Sequence, residues 1–313
     1  MSAPTTASAP DTTTLGSWYP AQETAPSGPI LVATDGTPAG DGAFRAASLI
    51  AGKSAAKVPV VVVIEPLPVL VPHPSLIAQP LAAPPDMFTA VRDRVTANIR
   101  ELAPEGLAWY VEVDYGRPST QIAKKAREIN AQLVVIGLVH HGVVDRAMDG
   151  DMALEIVRRS RTPVLLAAAD WKALPTRAVF AVDFSAQSMQ AARAGLRLMG
   201  DRSTVILTHV RPIPMVYNGT GTWELEYEEA AKTELAKFAE ALNAPAGVGI
   251  EQALLRGSPS PTILAFADEK RADLVVAGTR GAGLVERLLL GSVATRLMRH
   301  STRSLLIVPD VEE

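Results

Sequence analysis

Cysteine is absent from the 313 residues, which excludes disulfides, thiol chemistry and cysteine-ligated metal. An excess of positive charge is missing as well. With 30 basic residues against 33 acidic, the net charge is −3, and the basic surface that nucleic acid or an anionic membrane requires is not available. Long apolar runs are lacking too: Val58–Ile64 ("VPVVVVI") is the longest and is strand-sized, far short of the roughly 18 to 20 residues of a membrane span. Residues 1–28 contain no Lys or Arg and no apolar stretch, so they do not read as a secretory signal. Their Ala, Ser, Thr and Pro content reads as a disordered tail, either solvated or carrying a short docking element at Trp18 and Tyr19. These absences leave a soluble, cytoplasmic protein as the expectation.

What is present is an apolar fraction of 48% over a length sufficient for two cores. Short Val/Ile/Leu runs alternate with amphipathic stretches. "PILVATDG" (29–36) precedes a helical pattern at 40–54, and "VPVVVVIEP" is followed by a proline-heavy connection from Pro66 to Pro85 and a helix over 86–102. "LAWYVEVDYG", a helix at 118–130, the strand "QLVVIGL", a helix near Asp149–Ser160 and "PVLLAAA" complete the set. Near-continuous apolar strands separated by helices predict an α/β fold with a parallel sheet covered on both faces.

The order then recurs. Gly116–Ala167 lies over Gly257–Val308 without a gap at an offset of 141 (257 minus 116), with roughly a third of positions identical. Anchors include Gly116/Gly257, Pro118/Pro259, Gly137/Gly278 and Gly150/Gly291. A match of that length marks a tandem duplication. The expected division is a tail at 1–28, a first domain at 29–170 and a second at 171–313, with the boundary in the polar stretch Asp170–Thr176.

The stretch "AGTRGAGLVERLLLGSVA" (277–294) carries the most chemical information. "ADLVVAGT" is a strand that delivers Gly278 to the sheet edge where α/β proteins bind ligands. Gly278 and Gly281 allow a sharp turn and close approach of backbone amides to a ligand. Gly291 and Ser292 open the last helix, whose first amides and dipole favour an anion. This reads as a phosphate cradle, against the alternative of glycines serving only turns and caps. Asp183, at the end of the half's first strand, is suited to accept hydrogen bonds from a ribose or adenine, or else to cap the helix that follows.

The pattern G-x2-G-x9-G-[ST] formed by Gly278, Gly281, Gly291 and Ser292, with strands ending "VDFS" and "THV", resembles the ATP-binding subclass of the universal stress protein family. The resemblance covers both halves, from about Pro29 to Val308. It implies two Rossmann-like domains, each a five-stranded parallel sheet between helices, paired through their last strands "PVLLAAA" and "SLLIVP". It implies that ATP, with Mg, rests its adenosine on Ala181, Val182, Asp183 and Val210. The phosphates would lie on Ala277, Gly278, Thr279, Arg280, Gly281, Gly291, Ser292 and Val293. It also implies a dimer of tandem chains. His209 is read as a strand histidine bonded internally, not as a catalyst.

In the first half His140 stands where the second has Gly281, and Asp151 where it has Ser292. A carboxylate at the mouth of the cradle repels phosphate, so this half is expected not to bind ATP, while Asp35 still matches Asp183. It is expected to be structural, or adapted to a smaller or less charged ligand. The Pro-rich connection is read as an irregular loop or as a lid or partner surface. The run "WELEYEEAAKTELAKFAEAL" is read as a solvated helix face. No nucleophile, acid–base pair or metal cluster is convincingly placed, so enzymatic activity extends at most to slow ATP hydrolysis or autophosphorylation. The expected role is a stress-response protein for which ATP is a structural or signalling ligand. The rivals are a nucleotide-independent scaffold recruiting a protein partner, and a nucleotide-dependent enzyme.

Overall fold

A computed structural model describes residues 28–52, 57–66, 84–103, 107–138, 145–211, 222–279 and 290–310. The tail to residue 27, the Pro-rich connection at 67–83, His140, Arg280 and Gly281 lie outside them. The first half runs β1 (Ile30–Ala33), α1 (Asp41–Gly52), β2 (Val58–Ile64), α2 (Pro85–Leu102), β3 (Trp109–Tyr115), α3 (Pro118–Glu128), β4 (Leu133–Leu138), α4 (Asp145–Arg159) and β5 (Val164–Ala168). The second runs β6 (Arg177–Ala181), α5 (Ala186–Leu198), β7 (Ser203–Arg211), α6 (Thr222–Leu242), β8 (Val248–Arg256), α7 (Pro259–Glu269), β9 (Leu274–Gly278), α8 (Ser292–His300) and β10 (Ser304–Val308).

The ten strands form one sheet in the order β3-β2-β1-β4-β5-β10-β9-β6-β7-β8. Each set of five is parallel throughout, and the two sets meet where β5 pairs antiparallel with β10, Leu165 opposite Leu306. The last-strand pairing anticipated in the sequence is therefore made within one chain. It removes two edges that would otherwise expose unpaired amides and carbonyls.

Alternation along the strands divides the core into two layers. Ile30 and Val32 face one side with Phe44 of α1, Val95 of α2, Met189 of α5 and Phe238 of α6. Leu31 and Ala33 face the other with Ile122 of α3, Ile156 of α4, Ile263 of α7 and Leu297 of α8. Each layer is continuous across the β5–β10 joint, because the strands there are buried along their whole length. The duplication extends to backbone conformation: Gly116 and Gly257 both hold left-handed values of φ, 132° and 142°, ahead of helices opened by Pro118 and Pro259. Only glycine adopts that region without strain, and proline suits the first helical turn.

One helix departs from expectation. The sequence pattern places the start of α4 near Asp149; the helix begins at Asp145. At the offset of 141 that is six residues ahead of α8, so Gly150 lies inside a helix while Gly291 precedes one.

The entry into the second half is held by one carboxylate. Asp273 Oδ2 accepts hydrogen bonds from Thr176 N (2.8 Å), Thr176 Oγ1 (3.1 Å) and Arg177 N (3.0 Å), setting the entry of β6 beside β9. Asp273→Ala is expected to cost about 1–2 kcal/mol, as hydrogen bonds to a charged acceptor are lost at a solvent-exposed position. Urea unfolding of the two proteins checks this, and an unchanged midpoint would remove Asp273 from the account.

Candidate functional site

Strand order reverses between β6, which continues outward through β7 to β8, and β9 on its other side. Ligands of open α/β sheets bind outside the carboxyl ends of strands at such a point. A cavity of about 270 Å³ opens there. Ala181, Val182 and Asp183 line it from the end of β6, Val210 from β7, and Ala277, Gly278 and Thr279 from β9. Gly291, Ser292 and Val293 line it from the start of α8. Ten of the twelve residues singled out in the sequence thus surround one space; the other two, Arg280 and Gly281, lie outside the described residues.

The local chemistry differs in part from what the sequence suggested. Gly278 is not in a left-handed conformation; a Cβ there would make a tight contact, 3.2 Å, with the Cδ of Gln187, whose side chain would have to give by a few tenths of an ångström. Gln187 of α5, unremarked in the sequence, is buried and donates to Thr279 Oγ1 (2.6 Å) and to the Val308 carbonyl (3.3 Å). Thr279 in turn donates its amide to Val308 O (3.0 Å) and accepts from Gly291 N (2.7 Å). The ends of β9 and β10 and the start of α8 are thereby tied at one residue, which closes the base of the loop.

Gly291 is the N-cap of α8 and has no side chain to satisfy the amides that follow. The first intrahelical bond recorded there, Thr295 N to Gly291 O (3.0 Å), leaves the amides of Ser292, Val293 and Ala294 with no helical carbonyl to reach. All three residues line the cavity. Asp183 does not cap α5. Ser185 does, its Oγ accepting from Ser188 N at 3.1 Å, while Asp183 Oδ1 accepts from Ser185 N (3.1 Å) and Ser185 Oγ (2.5 Å).

His209 is bonded internally, as anticipated, but its second partner was not foreseen. Nδ1 lies 2.8 Å from Val182 O and must donate to it; Nε2, 2.8 Å from Tyr227 Oη, then accepts from the phenol. Phe184 stacks on the imidazole with ring centres 4.5 Å apart. Burial is the main influence and pushes the His209 pKa below its usual value, against the Val182 carbonyl and Asp183, which pull it up. Burial pushes Tyr227 upward, opposed by Arg211. The histidine is therefore a neutral wall group. Tyr227 sits in the segment read as a solvated helix face, and its inward turn was legible in the spacing Tyr227, Ala231, Leu235, Phe238, Leu242, an apolar stripe along α6.

Because the native state holds His209 neutral below its usual pKa, an unfolded chain takes up a proton that the folded chain refuses. This contribution to stability is complete above about pH 6.5 and is lost as pH falls from there through the depressed folded value. Melting temperatures at pH 7.5 and 5.5 are expected to differ less in His209→Asn, which keeps a donor for Val182, than in the native protein. An equal drop in both would assign the acid sensitivity elsewhere.

Among the described residues, no group of three or more His, Asp or Glu is arranged to hold a metal, and no helix is long and apolar enough to cross a membrane. The model of the universal stress protein family matches residues 27–168 and again 176–309. The chain belongs to that family. A universal stress protein of Mycolicibacterium smegmatis is 25% identical over 293 residues, 89% of this chain and 96% of its own length. One from Methanocaldococcus jannaschii is 41% identical over 95 residues, and this match spans 28% of the chain and 53% of that protein. The crystal structure of a universal stress protein from Archaeoglobus fulgidus shares the fold with a TM-score of 0.53 at 21% identity, covering 90% of this chain and 98% of that one. Tandem matches to one family model agree with the repeated architecture seen in the sheet.

Proposed function

We propose that this universal stress protein binds ATP, with Mg, in the cavity of a second domain at residues 171–313, and that a first domain at 29–170 does not bind it. The observation that carries this reading is the pair of helix starts. In the second half the uncapped first turn of α8 faces the same cavity as Asp183 and offers three amides and a positive dipole end to an anion. In the first half α4 has already run for more than a turn at the equivalent position, so those amides are engaged in helical bonds.

The residues present fit the ligand. Asp183 and the wall made by Ala181, Val182 and Val210 would hold the nucleoside, and the amides of Ser292 and Val293, with the Ser292 hydroxyl, would hold phosphate oxygens. ATP supplies the charge that the uncapped helix start lacks. Nothing in the described cavity activates water: its histidine is neutral and engaged at both nitrogens. ATP then acts as a structural or signalling ligand, stabilising the folded state in proportion to occupancy. Calorimetric titration of nucleotide-free protein with Mg-ATP is expected to give one site per chain. Two sites would refute the asymmetry, and no binding at millimolar ATP would favour a nucleotide-independent scaffold.

A further inference from the structure

Gln187 lies in the first turn of α5, just past the Ser185 cap, and is 7% exposed. A buried amide is costly unless its groups are bonded, so the partners it has found carry information. Its nitrogen donates to Thr279 Oγ1 at 2.6 Å and to the Val308 carbonyl at 3.3 Å. The carbonyl fixes which end of the amide points this way, because the amide oxygen in that place would face another acceptor. The bond to Thr279 therefore runs in one direction, from glutamine to threonine.

A second donor reaches the same hydroxyl. Asp310 N lies 3.2 Å from Thr279 Oγ1 and, as a backbone amide, can only donate. A hydroxyl offers two acceptor positions and one proton. Both acceptor positions of Thr279 are filled by these two donors, which leaves its own proton to be given away, and no acceptor for it stands among the described residues. Thr279 lines the cavity, and its carbonyl accepts from Gly291 N at 2.7 Å, which sets it at the end of the cavity where α8 begins.

The first half has neither partner. At the offset of 141, Thr279 falls on Leu138 (279 minus 141). At the offset of 148 that relates Asp183 to Asp35 (183 minus 35), Gln187 falls on Ala39 (187 minus 148). Leucine and alanine side chains form no hydrogen bonds, so the arrangement is confined to the half in which α8 starts uncapped.

We infer, on the ATP reading of this cavity, that Gln187 is a positioning residue of the nucleotide site: by donating to Thr279 it turns the threonine hydroxyl into a donor for a phosphate oxygen. Without Gln187 one acceptor position of Thr279 is open, and the hydroxyl is free to rotate until a phosphate meets a lone pair instead of a proton.

The test is titration of the full chain with Mg-ATP in the native protein, Gln187→Met, Thr279→Val and the double variant, with the phosphorus NMR spectrum of bound ATP recorded for each. Each single variant is expected to weaken ATP by about tenfold or more, the loss of a hydrogen bond to a charged acceptor. The double variant should bind no more weakly than Thr279→Val, because Gln187 acts only through that hydroxyl. One phosphorus resonance should move in the same direction in Gln187→Met as in Thr279→Val, which a loss of packing alone does not produce. Melting curves without nucleotide set a temperature at which every variant is folded, and Gln187→Ala, the residue at the matching place in the first half, replaces Gln187→Met if the latter does not fold. ATP affinity in the Gln187 variant within about twofold of the native value, additive losses in the double variant, or a resonance that moves only in Thr279→Val would each overturn the inference. A native chain that binds no ATP at millimolar concentration removes the proposed function and this inference with it, whereas native binding left unmoved by the Gln187 variant removes the inference alone.

Discussion

Ser292→Asp should lower ATP affinity by nearly a thousandfold while leaving the protein at least as stable as before. The two effects have opposite signs for the same electrostatic reason. At the first position of α8 an added carboxylate meets the positive end of the helix and three amides with no helical carbonyl to reach, which favours it by about 0.3–1 kcal/mol. The same carboxylate about 4 Å from a phosphate oxygen costs roughly 4 kcal/mol at an effective dielectric near 20, close to three powers of ten in the binding constant. Ser292 is exposed and its side chain caps nothing, so no packing is disturbed. Calorimetry with Mg-ATP and a melting curve without nucleotide separate the two quantities. ATP affinity within tenfold of the native value would show that phosphate does not lie at the start of α8. A lowered melting temperature without nucleotide would mean that the loop before α8, rather than charge, had been altered.

Gly42→Ala is expected to destabilise the chain by about 3 kcal/mol, where the same change in a helix ordinarily stabilises by 0.5–1 kcal/mol. Gly42 lies in the first turn of α1, packed on the end of β5. A Cβ there would overlap the carbonyl oxygen of Ala168 and stand 2.7 Å from its carbon and 3.0 Å from the oxygen of Ala167. These are backbone atoms of the strand that joins the two halves, so relief requires moving either α1 or the joint. Gly52, at the other end of the same helix, has nothing within 4 Å of an added Cβ and serves as the control. Urea unfolding should move the two midpoints in opposite directions. A neutral Gly42→Ala would show that α1 can slide on the sheet at little cost.

The pattern of the site was readable because it depends on local sequence. Apolar runs ending at Ala181 and Ala277, and a glycine–serine pair ahead of a helical repeat, identify strand ends and a helix start whatever surrounds them. Ten of the residues so identified line one cavity. The reasons attached to individual residues were less readable. Gly278 packs closely on Gln187, ninety-one positions away in the chain, and Tyr227 reaches His209 across eighteen. Such partners depend on which helix covers which strand, and single-residue spacing does not encode that. The early start of α4 was not legible because the glycine that precedes α8, Gly291, has its counterpart Gly150 inside α4, so a glycine does not by itself mark a helix start; where the first turn closes is decided by the surrounding fold.

By itself, the sequence determined the α/β class and the duplication, because periodicity and a gapless repeat at an offset of 141 are properties of the chain alone; the pairing of the last strands was implied by the family resemblance. Only the tertiary structure decided that the two halves differ in where the helix before their last strand begins. Whether a helix start leaves its first amides without a helical carbonyl depends on where its first turn closes against its neighbours, and a difference of six residues places positions 150–152 inside α4 where 292–294 open α8.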